Sequence, residues 1–258
     1  MAGDGKLAPK PLDWPEIENR VRARTPARLL EGRSGASYRT TTQLQLRADH
    51  AAARDAVRAE LDLNAHFGWK FVRRWELFEV STAASSKSEY LMRPDLGRTL
   101  GEAARNTITS QCPKGPDLQI LVGDGLSVSA VAAQVPALLP LLCDGGRKRN
   151  WTVGRPFVVR YCRVGIMNCI GEILRPSTVV LLIGERPGLA TAESLSAYLT
   201  YCPCPGHTDA DRNLISNIHA RGVPVEKATT RILDVVDQML KEQTSGTHLK
   251  EQLNNHQE

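Results

Sequence analysis

The chain has 258 residues, 24% charged and 41% apolar, with a formal net charge of +5. That length holds one large or two smaller domains with a sizeable core, in a composition ordinary for a soluble globular protein. Scattered or paired arginines without interleaved aromatics argue against a nucleic-acid binder; no apolar run approaches the roughly 18–20 residues of a bilayer span, and the first residues lack an export signal's apolar core, so a cytoplasmic protein is expected.

Residues 1–12 are polar and contain Pro and Gly, and disorder is expected there. Asp13 to Leu30 reads as a short amphipathic helix broken near Pro26, so residues 1–30 form a flexible or helical N-terminal segment. Gly32 to Ser37 is a Gly/Ser loop. Thr40, Thr41 or Thr42 caps a helix running to about Leu63, with an acid–base surface on which His50 follows Asp49. His66 to Ser88, rich in Trp and Phe, predicts a strand or two ending in a loop over residues 83–88. These elements make a small N-terminal domain, residues 31–90. Pro94 and Asp95 then open a helix with Leu96, Leu100, Ala103, Ala104 and Ile108 at helical spacing.

From residue 91 to 258 strands and helices alternate, the pattern of a doubly wound, mostly parallel sheet with helical crossovers. Leu118 to Val122 is a strand, followed by a helix to Val135 that restarts at Pro136 and ends at Gly145-Gly146. Phe157 to Tyr161 is the second strand and Met167 to Leu174 the next helix. Val179 to Ile183 is the third strand, fully apolar as a strand covered on both faces should be. Ser194 to Tyr201 is compatible with helix or strand. A last helix opens at Pro224 and ends at Ser245-Gly246.

Open α/β sheets bind ligands just past the carboxyl ends of their strands. Two such turns carry polar groups. Gly123-Asp124-Gly125-Leu126-Ser127 leads into a helix N-terminus, where Asp124 either contacts a ligand donor or joins Ser127 in capping. Gly184-Glu185-Arg186-Pro187-Gly188-Leu189 sets a carboxylate beside a guanidinium. Glu172 and Glu185 are paired carboxylates only if the fold brings them together. No nucleophile elbow, P-loop or H-E-x-x-H motif is present. Of six cysteines, Cys202 and Cys204 stand near His207, but that spacing is not a standard zinc set and has no fourth ligand nearby. A Pro-rich loop with incidental thiols is the simpler reading.

Several motifs in order resemble the small subunit of ethanolamine ammonia-lyase. They are His50-Ala51-Ala52-Ala53-Arg54-Asp55-Ala56-Val57, Arg93-Pro94-Asp95-Leu96-Gly97-Arg98, Asp124-Gly125-Leu126-Ser127 and Ile170-Gly171-Glu172-Ile173-Leu174. The Gly184 block, Glu193-Ser194-Leu195-Ser196-Ala197-Tyr198 and Ile215-Ser216-Asn217-Ile218-His219 complete the set. The resemblance implies a Rossmann-like domain that clamps adenosylcobalamin against a large TIM-barrel subunit, in a higher hetero-oligomer. That partner carries the radical conversion of ethanolamine to acetaldehyde and ammonia, so no catalytic residue is expected on this chain. The family's cofactor contacts fall on Val164, on Glu185 and on Leu214, the last replacing a cysteine. Glu185 would accept hydrogen bonds from corrin amides, and its replacement by Lys is expected to spare the fold. The chain lacks D-x-H-x-x-G, so the cofactor's own base is expected to stay on cobalt, with no protein ligand to the metal. The family also implies residence in a bacterial microcompartment. The alternative is a stand-alone Rossmann-like ligand-binding or regulatory protein without lyase activity.

Overall fold

A computed structural model describes residues 13–25, 29–188 and 191–249. The expected disorder of residues 1–12, the break at Pro26, Leu189 and the polar tail beyond Leu249 lie outside the described residues. Helix α1 (Trp14–Arg24) is capped by Asp13, whose carboxylate accepts from the Glu16 N–H at 3.0 Å. A small hairpin of β1 (Arg33–Ser34) and β2 (Ser37–Tyr38) replaces the predicted loop. Gly35, at a left-handed φ of 61°, lets the chain reverse there. Helix α2 (Thr40–Arg58) follows, and neither α1 nor α2 buries a residue.

The predicted continuation of α2 to Leu63 does not form. Asp62 instead caps a new short helix, α3 (Leu63–Phe67), accepting from the Ala65 N–H at 2.8 Å. Beyond Gly68 comes α4 (Trp69–Arg74), so the aromatic stretch read as strands is mainly helical. Phe67, Trp75 and Leu77 bury together in the core, and this packing overrides their strand propensity. One strand does form, β3 (Glu79–Ser81). The predicted loop after it ends in a helix, α5 (Lys87–Met92), capped by Ser86. At Pro94 the expected helix is only a 3₁₀ turn, Leu96–Arg98, because the chain extends for a bridge between Leu100 and Thr82. Helix α6 (Glu102–Gln111) starts after Gly101.

The core is a six-stranded sheet. Its strands are β3, β4 (Leu118–Gly123), β5 (Phe157–Arg160), β6 (Thr178–Gly184), β7 (Leu195–Tyr201) and β8 (Asn213–Ile218), in the order β3-β5-β4-β6-β7-β8. The first four in that order are mutually parallel, while β7 is antiparallel to β6 and β8 antiparallel to β7. The α/β class holds, but the sheet is mixed: Ser194 to Tyr201 resolves as strand, and β8 was not foreseen. Strand β3, from before residue 90, pairs with β5 at one edge.

Helices α7 (Val128–Lys148) and α9 (Val225–Glu242) cover one face, and α6 and α8 (Ile166–Leu174) the other. Strand β6 shows why no polar alternation was visible. Val180 and Leu182 point into the α7/α9 layer, while Val179, Leu181 and Ile183 point into the α6/α8 layer. Helix α7 runs unbroken through Pro136 and Pro140 rather than restarting. Over an 18-residue window of this 21-residue helix the mean hydropathy is 1.5, so the helix is long and apolar enough to cross a membrane. Here it is a core helix, with Val131, Val135, Leu138, Leu139 and Leu142 fully buried.

Candidate functional site

The parallel strands end at one edge of the sheet, where the turns after β4, β5 and β6 meet. Gly125, at φ 56°, permits the closest approach, since a Cβ there would strike the Gly184 carbonyl. The Leu126 N–H donates to that carbonyl at 3.1 Å. Ser127 caps α7, accepting from the Ala130 N–H at 3.2 Å, as the capping reading had it.

Asp124 neither caps α7 nor faces a ligand. It is buried and reaches sideways, accepting from the Tyr161 and Cys162 N–H groups at 2.9 Å each. Those bonds hold Tyr161 at φ 57°, a left-handed conformation costly for a residue with a Cβ. Thr82 fixes the same turn by donating to the Tyr161 carbonyl at 3.0 Å. Buried Lys87 stands 3.7 Å from the Asp124 carboxylate and donates to the Gly125 carbonyl at 3.1 Å. Burial lowers the Lys87 pKa, and the neighbouring Asp124 opposes that effect. Burial likewise raises the Asp124 pKa, with Lys87 and the backbone N–H groups opposing. Tyr90 completes the knot, donating to the Cys162 carbonyl at 3.0 Å with the Arg163 guanidinium 4.3 Å from its ring centre. The cluster fixes the path of the chain into Val164.

Glu185 is also committed. Its Oε1 accepts from Ser196 Oγ at 2.7 Å and from the Asn217 N–H at 2.9 Å, while Oε2 accepts from Ser194 Oγ at 2.7 Å. The carboxylate therefore ties the β6 turn to the start of β7 and the end of β8. The sequence reading had a solvent-edge acid; the structure instead engages the carboxylate in three hydrogen bonds.

Two adjoining cavities open at this edge. The smaller, about 240 Å³, is lined by Val164 and Glu185 together with Leu126, Ile183 and Tyr198. The larger, about 740 Å³, shares Arg163, Val164 and Tyr198 with it and extends along α8 towards His207 and Arg212. Val164 and Glu185 thus come together. Leu214 lines neither cavity: it lies 46% exposed on edge strand β8, opposite Tyr198. Glu172 and Glu185 do not form a pair, because Glu172 is bound to Arg105 at 2.9 Å on the α6/α8 surface. Cys202 and Cys204 are exposed thiols, and among the described residues no group of three His, Cys, Asp or Glu can hold a metal. His207 instead lines the larger cavity.

Lys87, Tyr90, Tyr198 and Arg212 were missed by the sequence reading. For Lys87 a signal existed: Ser86 and Glu89 have the S-x-x-E spacing of a helix start. The other three meet the site through contacts distant in sequence, which local patterns do not show.

A family model described as ethanolamine ammonia-lyase light chain matches residues 15–250. The ethanolamine ammonia-lyase small subunit of Clostridium perfringens is 43% identical over 230 residues, 89% of this chain and 76% of that relative. The small subunit from Fusobacterium nucleatum is 41% identical over 90% of this chain and 76% of its own length. That of Clostridium acetobutylicum is 40% identical over 89% of this chain and 93% of its own.

Proposed function

The chain belongs to the ethanolamine ammonia-lyase light-chain family, and from that premise we propose that it forms one wall of an adenosylcobalamin pocket completed by a large subunit. The single observation that carries this reading is the cavity past β5 and β6, where Val164 and Glu185 face the same space.

The residues suit a corrin edge, which offers an apolar rim and amide side chains. Val164, Leu126 and Ile183 supply apolar wall, and the Tyr198 ring stands beside them. A carboxylate has about four acceptor positions, and Glu185 uses two on Oε1 and one on Oε2. Oε2 is therefore the atom left to accept from a corrin amide. A cavity of about 240 Å³ encloses only part of so large a ring, which fits a pocket shared between two chains. Leu214 is a peripheral apolar contact on the same flank.

When bound, the cofactor supplies the cobalt–carbon bond from which the radical chemistry starts. This chain's residues bind and orient the ring, without a ligand to cobalt, in a Rossmann-like role. The reaction, a carbon–nitrogen lyase conversion of ethanolamine, belongs to the partner, and the hetero-oligomer sits in the cytoplasm inside a bacterial microcompartment. Co-expression with a large subunit tests this by gel filtration and assay. The two chains should co-elute and together release ammonia from ethanolamine with adenosylcobalamin. Separate elution, with full activity in the large subunit alone, would support a stand-alone binding protein instead.

A further inference from the structure

We infer that His219 is a positioning residue for the candidate site, holding the Glu185 carboxylate in place through Asn217. The inference deepens the proposed function and rests on it only where the corrin is concerned. His219 directly follows β8 and is buried. Its ring is held at both nitrogens. The Arg221 N–H donates to Nδ1 at 3.3 Å, and a ring nitrogen that accepts a hydrogen bond carries no proton. The ring proton is therefore on Nε2, which donates to Asn217 Oδ1 at 2.7 Å.

That bond grips a residue in an uncommon conformation. Ala197 pairs with Ile215 and Leu195 with Ile218, so β8 sets Ser216 and Asn217 against the single residue Ser196 of β7. This is a β-bulge, a device that takes one residue out of the ladder and re-aims its groups. Asn217 is at φ 62°, left-handed backbone that asparagine tolerates better than most residues but less readily than glycine. Its N–H leaves the ladder and donates to Glu185 Oε1 at 2.9 Å, beside the Ser196 hydroxyl that donates to the same oxygen. The chain then closes on the bulge. The Val223 N–H donates to the Asn217 carbonyl at 2.8 Å and the His219 N–H to the Val223 carbonyl at 3.2 Å. A Cβ on Gly222 would strike both the Asn217 carbonyl and His219 Nε2. Without the imidazole the bulge loses the contact that fixes its side chain, and Oε1 keeps only its hydroxyl donor. The carboxylate is then free to turn, and the open acceptor position on Oε2 loses its fixed direction.

A buried histidine that merely fills the end of the sheet would also be damaged by replacement, so the test has to separate the two roles. It reads amide hydrogen exchange by NMR in the full chain, and cobalamin retention by dialysis in the complex with the large subunit. His219→Ala should speed exchange of the Asn217 amide at least about tenfold, while the Val180 amide in mid-sheet keeps its rate. It should also weaken cobalamin retention about tenfold, the scale of one misplaced charge-assisted hydrogen bond. His219→Gln puts an N–H donor near the place of Nε2 and should restore both quantities to within about twofold. The decisive arm is an Asn217→Gly background. Glycine takes a left-handed φ unaided, so there His219→Ala should change neither quantity by more than about twofold. A loss as large in that background as in the parent chain overturns the inference. So does an Asn217 amide whose exchange His219→Ala leaves unchanged, or a glutamine variant as impaired as the alanine one. Faster exchange at Asn217 with cobalamin retention unchanged sinks the corrin reading of Glu185 and leaves its link to His219 standing.

Discussion

Asp124 and Glu185 both follow strand ends, and both direct their charge into the protein rather than towards solvent. Asp124 holds the Tyr161 turn, and Glu185 ties three segments together through Ser194, Ser196 and Asn217. Glu185→Lys removes three hydrogen bonds to a charged acceptor and places an ammonium against donors. It should destabilise the chain by about 2–4 kcal/mol, read as a lower urea midpoint, as well as weakening corrin retention. An unchanged midpoint would show that the Glu185 bonds contribute nothing to the fold. The thiols divide in a similar way. Burial pushes Cys112 up to about 11 and Cys143 up to about 12. Cys162 is raised further by burial and by the Asp124 carboxylate. Cys202 and Cys204 are exposed. Since the thiolate is the reactive form, alkylation of the folded chain at neutral pH should label Cys202 and Cys204 and spare Cys112, Cys143 and Cys162. Mass spectrometry that finds Cys143 labelled as fast as Cys204 would contradict this packing.

At the level of elements, strands β4, β5 and β6 and helices α8 and α9 were legible because their signals are local. Val179 to Ile183 is continuously apolar, and α9 carries its apolar residues at helical spacing. The stretch from His66 to Ser88 was misread because Trp and Phe favour strands in general, whereas here they bury a pair of short helices in the core cluster shared with α7. Strand β8 escaped because Leu214, Ser216 and Asn217 are exposed, leaving only Ile215 and Ile218 to mark it. The Glu185 turn was located from sequence, but its serine and backbone partners come from strands whose pairing no local pattern encodes. Helix α8 offers a test of such close packing. Gly171 faces the loop after β7, where a Cβ would overlap the Pro203 carbonyl. In an open helix Gly→Ala stabilises by up to about 1 kcal/mol. Gly171→Ala should instead destabilise by about 1–3 kcal/mol, the usual cost of overpacking, seen as a lower thermal midpoint. A stabilised variant would mean that the loop is not seated on α8.

For the whole molecule, the arrangement is a sheet core with two cavities open past its parallel strand ends, preceded by α1 and α2, which bury no residue. Val164 and Glu185 were placed at this edge by family resemblance and by the strand-end rule together. The four arginines that line the larger cavity were not visible as a group in sequence, because Arg98, Arg105, Arg163 and Arg212 are spread over more than a hundred residues. An open cavity of this kind suits the proposed pocket shared between two chains. Equilibrium dialysis of cobalamin against the large subunit, this chain, and their equimolar mixture tests that most directly. The mixture should hold the corrin at least about tenfold more tightly than either chain alone, a difference of roughly 1.4 kcal/mol. A large subunit that binds it equally well by itself would contradict the account.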